Sequence, residues 1–178
     1  MKPILTACLT TTLATAMFVA GASAGLAAAP DVSPDDQFLD QLVGTWDMDG
    51  TVGGKPVHYI AIGERTLAGG WLEFHMQDRA TGTQGYEARV FLGFDSKKQD
   101  FIAHWLDQFG APGARVAGKG YRRQNTLHLG FPYEEAAFEN TWTFIPDKKE
   151  WTLEIYRVES DGDLEPFAKY ALRQHVTR

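Results

Sequence analysis

The sequence has 178 residues, of which 44% are hydrophobic and 22% are charged, and its formal net charge is −6. A chain of this length supports one domain with a sizeable core. The acidic balance argues against a nucleic-acid backbone or an anionic membrane surface as a partner, because both would repel the protein. Cys8 is the single cysteine, so the fold must be stable through its core without disulfides.

Residues 1–24 have the features of an export signal. Lys2 supplies the positive charge, an apolar stretch follows, and Ala22-Ser23-Ala24 offers the small residues that a signal peptidase needs. Three threonines, residues 10–12, interrupt the apolar stretch, whereas a spanning helix needs about 18 uninterrupted apolar residues. We therefore predict cleavage, no membrane anchor, and a periplasmic or secreted location for the mature protein.

After a flexible lead-in over residues 25–32, a single domain is predicted over 33–178. It begins with a helix of about ten residues, in which Ser33 caps the N-terminus and Pro34 occupies the first turn. Acidic side chains in that turn favour the positive end of the helix dipole. The apolar residues at helical spacing are Phe38, Leu39 and Leu42, and Gly44 is expected to end the helix.

Beyond Gly44 the hydrophobic period changes to two and stays there, which predicts strands. Turn residues such as Gly53-Gly54 and Asp161-Gly162-Asp163 separate the apolar runs. The ten predicted strands are Thr45–Val52, Val57–Thr66, Trp71–Gln77, Tyr86–Phe94, Phe101–Gln108, Arg115–Arg122, Thr126–Phe131, Phe138–Phe144, Trp151–Val158 and Pro166–Gln174.

The short links between these strands leave no room for crossover helices, so the predicted order is antiparallel and up-and-down. Closure into a barrel is favoured over a sandwich because closure removes exposed edges and needs only hairpin-length links. A ten-stranded barrel is wider than a smaller barrel whose interior is just filled by its own side chains. The fold class predicted is therefore an all-β, lipocalin-like barrel with a central cavity.

Side chains alternate between the two faces of each strand. Several strands are apolar on one face and carry a mixture of aromatic and polar side chains on the other. Parity alone does not identify the inner face. The candidate ligand-binding residues are the charged and aromatic side chains with strong apolar neighbours: Glu73, His75, Glu87, Arg89, His104, Trp105, Asp107 and Trp142. Charges that face inward must be paired, since an isolated buried charge is very costly.

Several short segments resemble a known family. Leu42-Val-Gly-Thr-Trp46 resembles the Gly-x-Trp opening of calycin-type barrels. Gly69-Gly70-Trp71-Leu72-Glu73, Tyr86-Glu87, Gly93-Phe94-Asp95 and Trp105-Leu106-Asp107 resemble a bacterial family of unknown function with a lipocalin-like barrel. The chain departs from that family's pattern at Trp71, where Arg is common, and at Phe94, where Tyr is common. The resemblance implies the fold and brings no activity with it.

Two residues have structural interpretations. Trp46 is expected to plug the closed end of the barrel, where a wide ring packs across the strand ends. Asp95 is expected to open a turn and accept hydrogen bonds from nearby backbone amides.

The five histidines are His58, His75, His104, His128 and His175. None forms the short-range pair typical of zinc sites, so no metal is predicted. A haem-binding barrel remains an alternative, with His175, His75 or His104 as ligand, although no cofactor is our first expectation.

The favoured function is an exported binding module for a small apolar or amphipathic molecule, because the aromatic-rich strands have no nucleophile elbow or phosphate loop beside them. A second hypothesis is an enzyme of hydrolase or isomerase type, which requires Glu73, Arg89, His104 and Asp107 to converge in one pocket. A third is an interaction domain that exposes Trp71 or Trp151.

Overall fold

In a computed structural model, which describes residues 33–79 and 85–176, the chain forms one closed antiparallel barrel with a short N-terminal helix. The predicted export signal, the lead-in and the Thr81-Gly82 turn lie outside the described residues. The fold class predicted from the strand pattern is confirmed. Within the described ranges no helix has the length and apolar character needed to cross a bilayer.

The helix α1 spans Pro34–Phe38 and continues as one 3-10 turn over Leu39–Leu42. The Ser33 side chain accepts a hydrogen bond from the Asp35 backbone N–H, as a capping residue should. The α-helical part is shorter than predicted, because its second half forms a 3-10 turn. In such a turn, residues three apart lie on the same side. Leu39 and Leu42 use that side, and both are fully buried against the end of the barrel.

Ten strands follow, and each pairs with its sequence neighbours while β1 also pairs with β10. Each predicted strand corresponds to one of them, with shifts of up to two residues at the ends. The strands are β1 Gly44–Val52, β2 Lys55–Thr66, β3 Trp71–Asp78, β4 Glu87–Asp95, β5 Asp100–Asp107, β6 Ala117–Arg123, β7 Thr126–Pro132, β8 Ala137–Ile145, β9 Glu150–Val158 and β10 Leu164–Gln174.

The helix covers one end of the barrel, which we call the helix end, and two arginines hold it there. Arg65 at the end of β2 binds Asp36 and Asp40, with its Nε 2.7 Å from the Asp40 carboxylate. Arg122 of β6 binds Asp35. Three carboxylates of the helical segment are thus paired with two arginines of the strands beneath them, which fixes the position of the cap.

Trp46 lies at this end, as predicted. Its indole Nε1 donates to the Leu42 carbonyl oxygen at 2.8 Å, and the side chain is 1% exposed. Trp151 makes a similar bond to the Gln41 carbonyl oxygen and contacts the edge of Phe38. Two indole rings therefore close the helix end from inside. The Asp95 prediction is also confirmed, since its carboxylate accepts from the Lys97 and Lys98 amides.

Candidate functional site

Cross-strand pairing identifies the inner face, which parity alone did not. In β3, β4 and β5 the row Phe74, Val90 and Trp105 pairs side by side, and so does the row Met76, Ala88 and Asp107. Phe74, Val90, Met76 and Ala88 are 0–1% exposed and belong to the core. Because paired residues project to the same side of a sheet, Trp105 and Asp107 also face the interior.

The alternate rows face outward, and they carry five of the eight candidate residues. Glu73 pairs with Phe91, which pairs with His104, and His75 pairs with Arg89. On this face Arg89 Nη1 lies 2.5 Å from the Glu73 carboxylate, and His75 Nε2 lies 2.8 Å from that of Glu87. This hydrogen bond from His75 is the main cause that lowers the pKa of Glu87. None of these five side chains can line an interior cavity.

This placement corrects the expectation for the enzyme hypothesis. Glu73 and Arg89 meet, but Asp107 projects to the other side of the sheet. The four residues that the hypothesis required in one pocket are therefore separated by the barrel wall, because one sheet face cannot reach the other.

The five histidines also lie on the outer face of the barrel. His58 bonds to Asp49 and His175 to Asp47, both on outward rows, and the Tyr121 ring stacks against His128. His75 and His104 are outward as described above. A haem held by an inward histidine is therefore contradicted. Within the described ranges, no group of three or more metal-ligating side chains is found.

The hypothesis of an exposed aromatic face loses one of its two residues. Trp151 is fully buried. Trp71 does lie on the outer face, beside His104, with its ring packed flat over Gly93, whose missing side chain makes the contact possible.

The half of the interior next to the helix is filled rather than open. Its large side chains are 0–1% exposed: Trp46, Met48, Phe74, Trp142, Trp151 and Leu172. Trp142, the last of the candidate residues, packs in this region against the edge of Phe74. The cavity expected at the centre of the barrel is therefore occupied by side chains at this level.

The opposite half is different, and we call its inward-facing aromatic lining the open-end bowl. Exposure of the inward side chains rises toward this end, to 4% at Tyr59, 5% at Tyr170 and 7% at Ile155. Further out, the inward side chains are partly exposed. The bowl comprises Tyr59, Tyr86, Trp105, Asp107, Phe131, Tyr133, Phe138 and Tyr170.

Aromatic contacts join these side chains into a continuous surface. The rings of Tyr59 and Tyr86 are 5.7 Å apart, and those of Tyr59 and Tyr170 are 5.9 Å apart. On the other side Phe131 stacks with Tyr133 at 6.0 Å. Trp105 connects the two groups, because it contacts Phe131 and donates from Nε1 to the Tyr86 hydroxyl.

Polar groups are few and well defined in this bowl. Asp107 accepts hydrogen bonds from the Phe109 backbone N–H at 3.0 Å and from the Tyr86 hydroxyl at 3.5 Å. Burial, and then the negative charge of Asp107, raise the pKa of Tyr133. Burial also raises the pKa of Tyr86, and Asp107 adds to that effect. All of these hydroxyls are therefore protonated hydrogen-bond donors at neutral pH.

Two buried polar atoms lie deeper on the inner face of β8. Asn140 Oδ1 and Trp142 Nε1 have no hydrogen-bond partner in the part of the chain that is described. Asn140 is 4% exposed and pairs across the strands with Leu129 and Ile155. A buried polar atom without a partner is costly, and native proteins seldom keep one.

Two surface clefts of about 310 and 360 Å³ lie at the helix end instead. Their walls include Gln41, Phe144 and Pro146 on the outside of the cap. The charged group of the first cleft, Arg122, is already bound to Asp35 and lies over the Phe38 ring. We place the candidate site at the open end, because there the inward carboxylate of Asp107 lies among partly exposed aromatic side chains.

The tyrosines of the bowl were missed by the sequence interpretation, which selected charged residues. Alternation puts Tyr86 on the same face as Ala88, Val90 and Leu92, but strand pairing was needed to identify that face as the inner one. Tyr59, Tyr133 and Tyr170 come from three other parts of the chain, and only barrel closure brings them together.

Comparison with known proteins supports the fold. Residues 32–174 match the family model described as Protein of unknown function (DUF1579). The crystal structure of Rv2717c from M. tuberculosis is similar with a TM-score of 0.53 at 14% identity, over 82% of this chain and 100% of that chain. At this identity the likeness concerns the fold alone. A search of curated proteins finds no match.

Proposed function

We propose that this chain, which belongs to the DUF1579 family of proteins of unknown function, is an exported binding module for a small amphipathic molecule. The molecule sits in the open-end bowl, with its apolar body against the aromatic rings. Small-molecule sites typically combine such an apolar lining with a few convergent polar groups.

One observation carries the proposal: the aromatic lining that becomes accessible at the open end contains a carboxylate on the inner face, Asp107, beside the Tyr86 hydroxyl. At the helix end the two indole N–H groups of Trp46 and Trp151 are both satisfied by backbone carbonyls. Toward the open end, Asn140 Oδ1 has no partner within the described residues, and Asp107 has acceptor capacity to spare. A ligand with a polar group would satisfy these atoms, whereas an apolar one would leave them desolvated.

The site differs in depth from a lipocalin-like central cavity. Trp142 and Phe74 occupy the middle of the barrel, so the ligand occupies the outer half only. Ile155 and Ala168, which pair across β9 and β10 and are 7% and 6% exposed, form the floor.

Uptake of the neutral fluorescent probe N-phenyl-1-naphthylamine by the purified protein tests the proposal. Wild type is expected to bind it saturably at one site. Ala168→Phe places a ring on the bowl floor and is expected to weaken uptake about tenfold, since the added side chain competes for the same volume. The matched control is Ala171→Phe, which projects from the outer face of β10 and should leave uptake within about twofold of wild type.

Absence of saturable uptake by wild type would contradict the proposal, and so would equal uptake by a folded Ala168→Phe variant. If that variant does not fold, Ile155→Phe gives the same comparison from β9. Native mass spectrometry of the protein as purified would weigh a retained molecule directly.

Export is part of the proposal and has its own test. Its support is the small-residue motif at Ala22-Ser23-Ala24 after an apolar stretch. The intact mass of the protein recovered from the periplasm or medium is expected to match a chain that begins at Gly25. A mass that includes Met1 would contradict export by cleavage.

A further inference from the structure

We infer that the ligand of the open-end bowl carries an organic ammonium group, held by the Asp107 carboxylate and the surrounding aromatic rings. This inference rests on the proposed function and specifies the chemical class of its ligand.

The first support is the position of Asp107. Its carboxylate lies on an inward row with Met76 and Ala88, and its described partners are two neutral donors, the Phe109 N–H and the Tyr86 hydroxyl. No ion pair to Asp107 is found among the described residues, although twelve ion pairs are found elsewhere. A partly buried carboxylate without a cation is most stabilised by a cationic ligand.

The second support is the aromatic character of the walls. Tyr86 contacts Asp107 through its hydroxyl, Trp105 lies on the same face of β5, and the charge of Asp107 influences Tyr133. Aromatic ring faces attract cations through their quadrupoles. The attraction is strongest for Trp and for cations that are weakly hydrated, which is why aromatic cages bind quaternary ammonium groups. A ligand carboxylate or phosphate would instead be repelled by the negative ring faces and by the Asp107 carboxylate.

The third support is the balance of charge around the opening. Among the turns at this end, residues 133–136 contain Glu134 and Glu135, and residues 159–163 contain Glu159, Asp161 and Asp163. Two arginines, Arg79 after β3 and Arg115 before β6, also lie at this end. A predominantly negative opening raises the local concentration of cations.

Two of the cations near the opening, Arg79 and Arg157, are already paired with carboxylates. Arg79 is bound to Asp47 on the outer face at 2.8 Å. Arg157, at the rim of β9, lies 3.3 Å from Glu159 with its side chain 48% exposed. Lys55 is exposed at the start of β2.

An unpartnered acceptor also lies deeper on the inner face of β8. Asn140, 4% exposed and one inward position deeper than Phe138, presents an unpartnered Oδ1 toward the interior. An ammonium N–H, or a polarised C–H of a quaternary ammonium, is the complement of such an oxygen and of the Asp107 carboxylate.

The test compares three phenyl compounds of similar size as competitors of N-phenyl-1-naphthylamine: phenyltrimethylammonium, its neutral isostere tert-butylbenzene, and the anion benzenesulfonate. Wild type is expected to bind the cation about tenfold more tightly than the neutral isostere and to bind the anion most weakly. Asp107→Asn keeps the shape and removes the charge, so it should abolish the preference for the cation while leaving binding of tert-butylbenzene within about twofold.

Asp147→Asn, in a turn at the helix end, is the matched control and should keep the wild-type preference. The inference is overturned if wild type binds the three compounds equally or prefers the anion, or if Asp107→Asn retains the preference. In each of these cases uptake of the neutral probe would still support the bowl, whereas loss of probe uptake by wild type would remove the proposed function itself. Should Asp107→Asn fail to fold, Trp105→Leu provides a second variant, which should also reduce the cation preference.

Discussion

The indole Nε1 of Trp105 donates a hydrogen bond to the Tyr86 hydroxyl oxygen over 3.1 Å, and the Tyr86 hydroxyl in turn points to Asp107. This chain of donors connects the end of β5 to the segment before the neighbouring strand β4. Because each group orients the next, the Tyr86 hydroxyl determines how the Asp107 carboxylate is presented.

Replacing Tyr86 by Phe removes the acceptor of the Trp105 indole and one donor to Asp107. We expect the free energy of unfolding to fall by about 1 kcal/mol, the usual net value of one hydrogen bond. Urea denaturation measures the loss. Tyr121→Phe, which removes a hydroxyl from a side chain on the outer surface, should change stability by less than about 0.5 kcal/mol. Equal losses in the two variants would show that the Tyr86 hydroxyl makes no net contribution.

The buried tyrosines should also make the protein sensitive to alkali. Burial raises the pKa of Tyr86 and of Tyr170 far above the ordinary range of a tyrosine, and the negative charge of Asp107 near Tyr86 and the neighbouring Tyr59 add to this. In the unfolded chain both hydroxyls ionise near pH ~10. Above that pH the unfolded state loses protons that the folded state retains, so stability is fully present below about pH 10 and falls as the pH rises further.

The measurement is the free energy of unfolding at about pH 9 and about pH 11. Between these two pH values, the free energy of unfolding of wild type is expected to fall by up to about 1.4 kcal/mol more than that of a variant lacking one buried tyrosine hydroxyl. The reason is that one pKa unit corresponds to this amount. Tyr170→Phe and Tyr86→Phe should each reduce the alkaline loss. If both variants show the wild-type slope, the two hydroxyls do not couple to folding.

The outward ion pair between Glu73 and Arg89 should be structural and independent of the bowl. Glu73 is 8% exposed although it lies on the outer face, because Arg89 covers it. Arg89→Ala would leave this carboxylate without a partner, and we expect a loss of about 1–3 kcal/mol in thermal or urea unfolding. Uptake of N-phenyl-1-naphthylamine should not change.

The comparison for that variant is Lys169→Ala. Lys169 pairs with Glu154 on the surface and its side chain is 68% exposed, so we expect a loss below about 1 kcal/mol. A change in probe uptake by Arg89→Ala would indicate that the outer face contributes to the site.

Gly63 should be essential for closing the helix end. A Cβ at this position would lie 2.0 Å from the Leu42 carbonyl oxygen, the same oxygen that accepts from Trp46. Gly63→Ala must therefore displace the 3-10 turn, and we expect a loss of about 3 kcal/mol. Gly70→Ala is the control, because its Cβ would be 3.5 Å from the Leu67 carbonyl oxygen, an ordinary contact, in a backbone conformation open to any residue. A loss of similar size in the two variants would contradict this account of the cap.

Strand number and order were predictable from the sequence, because both depend on local patterns. The alternation of apolar and polar residues along segments such as Phe101–Gln108, and the turn residues between segments, leave an up-and-down barrel as the consistent arrangement. Ser33, Pro34 and Gly44 similarly marked the ends of the helical segment. Its division into α-helix and 3-10 turn was not predictable, since packing of Leu39 and Leu42 decides it.

The inner face was decided by tertiary structure. The outer rows contain Trp71 and Phe91 and the inner rows contain Asp107 and Asn140, so hydrophobicity does not separate the two faces. Attention to charge therefore selected Glu73, His75, Glu87, Arg89 and His104, which all project outward. Only the strand register assigns them a direction, because a shift of one residue exchanges the two faces of a strand.

The sequence alone therefore determined the local secondary structure: ten strands, the turns between them, and a capped helix before them. The three-dimensional arrangement decided the rest, since strands far apart in the chain pass the same end of the barrel. Closure of β1 on β10 brings Tyr59 beside Tyr170, and the helix blocks the other end. The candidate site exists where these long-range contacts meet, and no local pattern carries that information.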